Sequence, residues 1–316
     1  MKLTRRFAIY AVLIALTAVP ASGQENSDPE EKQETKPGTG QHEHDEADHQ
    51  LEFYDSVEVS ARGDNLVGLA VSANEGTTGR DELLQRPRLR AGDLVETVPG
   101  AVATQHSGGG KANQYFLRGF NLDHGTDFAV SVAGMPVNMP THGHGQGYAD
   151  LNFLIPELVQ RARYRKGPYF AEVGDFSSAG GVNFDLVGAL PTGIVDLTVG
   201  GFDYQRALWG DTFAIGGGDL TGAVEYYHYD GPWDRGDDYE RFNGFMGYHS
   251  GDAMGGWSVT AMASDGQWLA TDQIPRRAVD QGLVDRYGLL DPGPRGSTAR
   301  YSLSSEAHRG SATSLT

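Results

Sequence analysis

Cysteine is absent from the 316 residues, which excludes a disulfide framework, a thiolate nucleophile and a thiolate metal site. Cations are scarce beside anions: 25 Lys and Arg stand against 42 Asp and Glu, a formal charge of −17 at pH 7. Such a field repels phosphate backbones and argues against nucleic acid as a partner. No apolar run reaches the roughly 18–20 residues that a membrane-spanning helix needs. Catalytic signatures are missing too. There is no His-Glu-x-x-His spacing and no G-x-S-x-G elbow, and Ser107-Gly-Gly-Gly110 leads through Lys111 into a strand-like run rather than a phosphate-binding helix. What is abundant is glycine, 44 residues, beside only 39% hydrophobic residues. That mixture suits a β protein with many turns and strands that are half solvated.

Residues 1–23 have the build of a secretory signal. Lys2, Arg5 and Arg6 precede an apolar centre at 7–19, and Ala21-Ser-Gly23 forms a small-residue cleavage site. Residues 24–50 hold almost nothing apolar and cannot offset their ordering entropy, so a disordered acidic linker is expected. His42, His44 and His49 lie there among four carboxylates. They either capture a transition metal loosely or simply decorate a solvated linker.

From 94 to 186 the chain carries an ordered set of short motifs. A helical stretch ends in Val98-Pro-Gly100, and Gln114-Tyr-Phe-Leu-Arg-Gly-Phe120 reads as a strand. Phe128 to Val137 reads as a second strand and contains Ala133-Gly-Met-Pro136. Ile155-Pro-Glu157 opens a segment closing at Gly167-Pro168, and Gly180-Gly-Val-Asn183 follows. This order resembles the plug domain of TonB-dependent outer-membrane receptors, with Ala133-Gly134 where that family usually has Asp-Gly. The resemblance implies helices at 90–100 and 154–168, and a plug extending over 51–190. It also implies a short strand-like TonB box that pairs edge to edge with the energy-transducing TonB protein. Asp55, Ser56, Val57, Glu58, Val59 and Ser60 are the candidate; the alternative is that they form the first plug strand.

From 191 onward the pattern changes to period two. Strands are expected at 194–200, 205–215, 219–229, 239–249, 256–264 and 298–308, with turns alternately short and long apart from a short first link, as in a transmembrane β-barrel. Tyr226, Tyr227, Tyr229, Trp233, Tyr239 and Phe242 cluster around one connection as an interfacial aromatic girdle would. Six strands cannot close around a plug, since plugged transporters use about 22. The expected fold class is therefore an α+β plug followed by antiparallel transmembrane strands of a partial barrel, the N-terminal part of a longer receptor.

Asn138 to Asp150 reads Asn-Met-Pro-Thr-His-Gly-His-Gly-Gln-Gly-Tyr-Ala-Asp. His142 and His144 are two apart, so in an extended loop both can reach one cation, with His124, Asp123 and Asp127 approaching from the side. The competing reading is a glycine-rich loop whose histidines bond to barrel residues or line a wet pocket; His106 sits in another such loop. Arg118, Arg161, Arg163 and Arg165 lie on plug elements. The resemblance implies pairing with barrel carboxylates, against plain surface salt bridges. The function this implies is non-enzymatic, TonB-energised uptake of a scarce nutrient such as an iron chelate or transition metal. No cofactor is required, and metal enters as cargo. The place is the outer membrane of a Gram-negative cell, in contact with its lipid, with the linker in the periplasm. A surface adhesion protein without transport and a periplasmic metal buffer are the rival classes.

Overall fold

The computed structural model describes residues 69–309, apart from 71, 88, 106–107, 253–254 and 271–272. The signal, the linker histidines His42, His44 and His49, the candidate TonB box 55–60, and His106 lie outside the described residues.

The first half builds a six-stranded sheet in the order β1-β2-β8-β9-β6-β7. Its strands are β1 (Leu69–Ala70), β2 (Glu75–Gly79), β6 (Phe128–Val132), β7 (Met135–Pro136), β8 (Val159–Lys166) and β9 (Gly180–Leu186). Pairing is antiparallel except between β6 and β9. A small sheet of β3 (Ala101–Thr104), β4 (Gln114–Leu117) and β5 (Phe120–Asn121) stands apart from it. The two central β-rich runs therefore belong to different sheets. Helix is minor: α1 (Arg80–Gln85), and a 3-10 turn at Ala91–Thr97 that ends, as expected, at the Pro-Gly pair.

The helix expected at 154–168 is a strand. Only Pro156–Leu158 turns, and β8 follows. Ala162 and Tyr164 point into the core while Arg161, Arg163 and Arg165 point out. That period of two is legible in Arg-Ala-Arg-Tyr-Arg and decides the matter against a 3.6-residue repeat.

The second half is an antiparallel meander of β10 (Ile194–Val199), β11 (Gln205–Ile215), β12 (Gly218–Tyr229), β13 (Tyr239–Asp252), β14 (Gly255–Leu269) and β15 (Arg295–Arg309). Links between them are short at 216–217 and 253–254 and long at 230–238 and 270–294, with α2 (Arg276–Asp280) inside the last; the 200–204 link remains the short exception. Among the described residues, no helix is long and apolar enough to cross a membrane.

Alternation gives this sheet two different faces. One face presents Arg206, Leu208, Glu225, Arg241, Asn243, Phe245 and Met262 to the plug, and Leu208, Ala223, Phe245 and Met262 join the plug's apolar core. The opposite face carries rows in register across the sheet, such as Trp209–Val224–Gly244–Ala263–Tyr301. Its β10 side chains are bare: Val195, Leu197 and Val199 are 73–84% exposed. From Ala207 to Ile215 this apolar band, interrupted by Asp211 and Asp265, runs roughly 27 Å along the strand at ~3.4 Å per residue, close to the ~25 Å of a lipid-facing band. A polar row, Gln205–His228–Glu240–Gln267, bounds it.

The aromatic girdle is split. Neighbours in a strand face opposite ways, so Tyr226 and Phe242 stack on the outer face with centroids 4.9 Å apart, while Tyr227 and Tyr239 point inward. Trp233 packs on Tyr287 in the long links.

Candidate functional site

Plug and sheet are joined by charge, with the polarity opposite to that expected. Arg161 and Arg163 both bind Asp185, and Arg165 binds Glu172 and lies near Glu75. These pairs are internal to the plug, because the outer face of β8 looks onto its own neighbours rather than onto β10–β15. Arg118 is exposed in the β4–β5 turn. The joining cations come instead from the sheet. Arg206 donates two bonds of 2.8 Å to Glu157 of the Ile-Pro-Glu turn, both side chains being buried. Glu225 lies 3.6 Å from Arg206 and accepts a 2.6 Å bond from Arg241. Arg241 also reaches the Asn152 amide oxygen, and Asn243 donates to the Asn152 carbonyl at 2.8 Å. Arg300 donates to the Pro136 carbonyl and covers the Phe153 ring. None of these sheet residues was singled out by sequence. A signal existed, since an arginine inside a membrane strand is costly unless it faces a partner in the lumen.

A cavity of about 1000 Å³ opens where plug residues Leu89, Arg90, Asp93, Gln105, Gly108 and Gly109 meet the ends of the strands nearest the long links. Tyr204, Tyr227, Tyr229 and Tyr239 wall it, with Arg241 and Trp233.

The histidine cluster is assembled from two segments, Asp123 and His124 from one and His144 from the other. Asn138 is the clamp: its buried amide nitrogen donates to the carbonyls of Gly125, Phe128 and Gly147, and its oxygen accepts the Val130 N–H at 2.6 Å. The Met139–Tyr148 bridge closes the loop above it. Gly125 (φ +121°) and Gly147 (φ +79°) pass so closely that a β-carbon on Gly125 would lie 2.7 Å from the Gly147 oxygen; only glycine fits. This pressing-together of the 121–127 turn and the 139–148 loop brings His124 and His144 into edge contact, their centroids 4.2 Å apart. Donor atoms of Asp123, His124 and His144 all lie within 4.8 Å of one another.

The remaining expected residues lie elsewhere. His142 stacks on Tyr148 at 3.9 Å, and its Nδ1 accepts the His144 backbone N–H. It thus shapes the loop, while the ring that meets His144 edge-on is that of His124. Asp127 accepts a bond from the Ser178 hydroxyl, away from the cluster. Tyr148 accepts the Ala112 N–H at 2.8 Å, and burial, with Asp150 adding to it, pushes its phenol up to about 12.

The TonB-dependent Receptor Plug Domain model matches residues 70–182. The ferric citrate transporter FecA, unliganded, shares 17% identity over 74% of this chain and 37% of its own, with a TM-score of 0.57. The ferric yersiniabactin uptake receptor FyuA from Yersinia pestis shares 18% over 73% and 38%, TM-score 0.55. FpvA of P. aeruginosa, solved with heterologous pyoverdines, shares 14% over 77% and 32%, TM-score 0.53. The chain spans about a third of the length of these structures, and at such identities the likeness is one of fold. They are receptors and transporters rather than enzymes. Residues 70–182 are a TonB-dependent receptor plug domain.

Proposed function

We propose that this chain supplies the plug and the first wall strands of an outer-membrane receptor that takes up a metal or metal chelate, driven by TonB. The observation that carries the reading is the two-faced sheet. One side is an apolar band of membrane height; the other holds a plug through buried charge at Glu157, Arg206, Glu225 and Arg241. The bare apolar face also speaks against a soluble periplasmic metal buffer, which would bury such a surface. Cargo enters the cavity between plug segments and the long links. Three proteins of similar fold are a ferric citrate transporter, a ferric yersiniabactin uptake receptor and FpvA bound to iron–pyoverdine, which supports a metal-bearing cargo. Pull on the segment 55–60 then rearranges the plug.

The test is uptake by cells carrying the full-length receptor. Val57→Pro removes a backbone donor from the edge strand on which TonB would pair. Transport should stop while surface binding of cargo persists. Undiminished transport would refute TonB coupling through this segment, and binding with no transport in either form would favour an adhesion protein.

A further inference from the structure

The wall side of the plug seat holds a buried acceptor that goes unused. Glu225 is buried, and its Oε1 accepts a 2.6 Å bond from Arg241, whereas its Oε2 accepts no hydrogen bond from any described residue. An unsatisfied buried carboxylate oxygen is costly and calls for a reason. Arg206 supplies one. Its Nη2 lies 3.6 Å from that oxygen, beyond hydrogen-bond reach, because its forked nitrogens are turned to Glu157 of the plug at 2.8 Å each. Two carboxylates, one on the plug and one on the wall, thus compete for one guanidinium, and at rest the plug's carboxylate has it.

Strand register accounts for the placement. Leu208 on β11 stands opposite both Asp196 on β10 and Glu225 on β12, so Arg206, two residues along the same face, is diagonal to each. Diagonal neighbours lie within reach of long side chains. Asp196 is the poorer alternative. It lies 3.7 Å from Nη1, is one-third exposed, and its other oxygen accepts the Thr198 hydroxyl at 2.6 Å. The Glu225 Oε2 is idle, buried and within roughly an ångström of bonding distance.

We infer that Glu225 is the relief partner of Arg206: as Glu157 leaves, Arg206 closes onto the idle oxygen, and Arg206, Glu225 and Arg241 form a triad within the wall. This deepens the uptake reading and rests on it for the claim that the plug rearranges. Breaking a buried ion pair is costly chiefly because it strands a charge; here the wall meets the stranded cation with a carboxylate of its own. The seat therefore holds at rest yet leaves no bare arginine behind when the plug shifts. Closing from 3.6 Å to about 2.8 Å at an effective dielectric near 20 changes an equilibrium about tenfold. While the plug is seated, Glu157 and Glu225 also repel each other across Arg206. Neutralising Glu225 should thus tighten the plug, whereas neutralising a carboxylate that merely braced the cluster would loosen it.

The experiment measures plug release from purified full-length receptor in micelles. Tryptophans 209, 233 and 257 are changed to phenylalanine, so that Trp268, buried against the plug's Gly108 and Gly110, reports alone. Urea is the denaturant, because it leaves ion pairs unscreened. Glu225→Gln keeps the side chain's shape and an amide oxygen for Arg241. It should tighten the plug about tenfold in the release equilibrium, with slower amide exchange at 152–158 in the absence of urea. In a Glu157→Gln background, where the competition is gone, the same change should tighten nothing. Should the amide variant fail to assemble, Glu225→Asp, one methylene shorter and drawn back from Arg206, should act in the same direction. Earlier release in Glu225→Gln, or an equal shift in both backgrounds, overturns the inference. Val57→Pro keeps the two readings apart: uptake that survives it removes TonB pull on 55–60 yet leaves the Glu225 shift in urea as predicted.

Discussion

Replacing Glu157 by alanine tests the seating of the plug. The substitution removes two charge-assisted bonds of 2.8 Å from an arginine that is 6% exposed. Breaking a buried pair costs about 3–5 kcal/mol. Here Arg206 keeps weaker company, Glu225 at 3.6 Å and Asp196 at 3.7 Å, so the loss should be nearer 2–3 kcal/mol. Arg206→Ala should cost at least as much, because Glu157 and Glu225 would then both lose a cation. The double variant should fall short of the sum by about 2 kcal/mol, the coupling expected of directly bonded residues. A reporter is built in. All four tryptophans, at 209, 233, 257 and 268, lie beyond the plug, and Trp268 is buried against the plug's Gly108 and Gly110. With the other three changed to phenylalanine, a guanidinium titration in micelles follows plug release as a red shift of Trp268 emission. Additive midpoint shifts, or no shift in Glu157→Ala, would refute the claim that this pair holds plug to sheet.

Other consequences are as concrete. Ala133 sits at φ +49° beside Gly134 at +74° in the β6–β7 hairpin, a turn that favours Asn, Asp or Gly; Ala133→Asn or Gly should raise thermal stability by about 0.5–1 kcal/mol, and a lowered midpoint would count against that turn geometry. Asn138→Ala orphans the Val130 N–H and takes a donor from three carbonyls, of which Gly125 keeps the Phe128 N–H, and should cost ~2–3 kcal/mol, with faster amide exchange confined to 124–148. Metal affinity should fall below pH ~6.5, as imidazole protonation competes with coordination; a profile flat to pH 5 would mean that histidine is not a ligand. For Tyr148 the folded phenol is raised to about 12, so its contribution is intact below the ordinary value near 10 and is lost as pH climbs toward 12. Tyr148→Phe should flatten that alkaline decline.

Much of the architecture was legible in the chain because strand period and turn residues are local properties. The six meander strands start and stop within a few residues of where alternation placed them, the largest extensions being at β14 and β15, and Gly216-Gly217 marks a hairpin. The motif order from Val98 to Asn183 identified the plug. What failed was reasoning about which side a residue faces and what it meets. A family-borne helix overrode a plain alternation in β8. Adjacent tyrosines were read as one girdle although Tyr226 and Tyr227 must diverge. For Arg161, Arg163 and Arg165 the sequence left barrel carboxylates and plain salt bridges both open, and their partners include Asp185 on β9 and Glu172 in the turn between β8 and β9. For the site, His124, His144 and Asp123 were named, but their union depends on the Asn138 bonds, which span 8 to 13 residues, and on the Gly125–Gly147 approach, contacts that no local pattern encodes.

The strip from Gly108 to Gly110 lies against the rings of Trp268 and Tyr239, so tightly that a β-carbon on Gly110 would fall 2.1 Å from the indole. Backbone alone meets a flat aromatic wall there, without knobs or sockets to disengage. Such a seam behaves as a bearing held by a pin, the bond that the Gly109 N–H gives the Asp237 carboxylate: once that bond lets go, no rotamer at the glycines has to change for one part to glide over the other. A single added methyl at residue 110 would act as a brake pad, wedging the parts apart or jamming their travel.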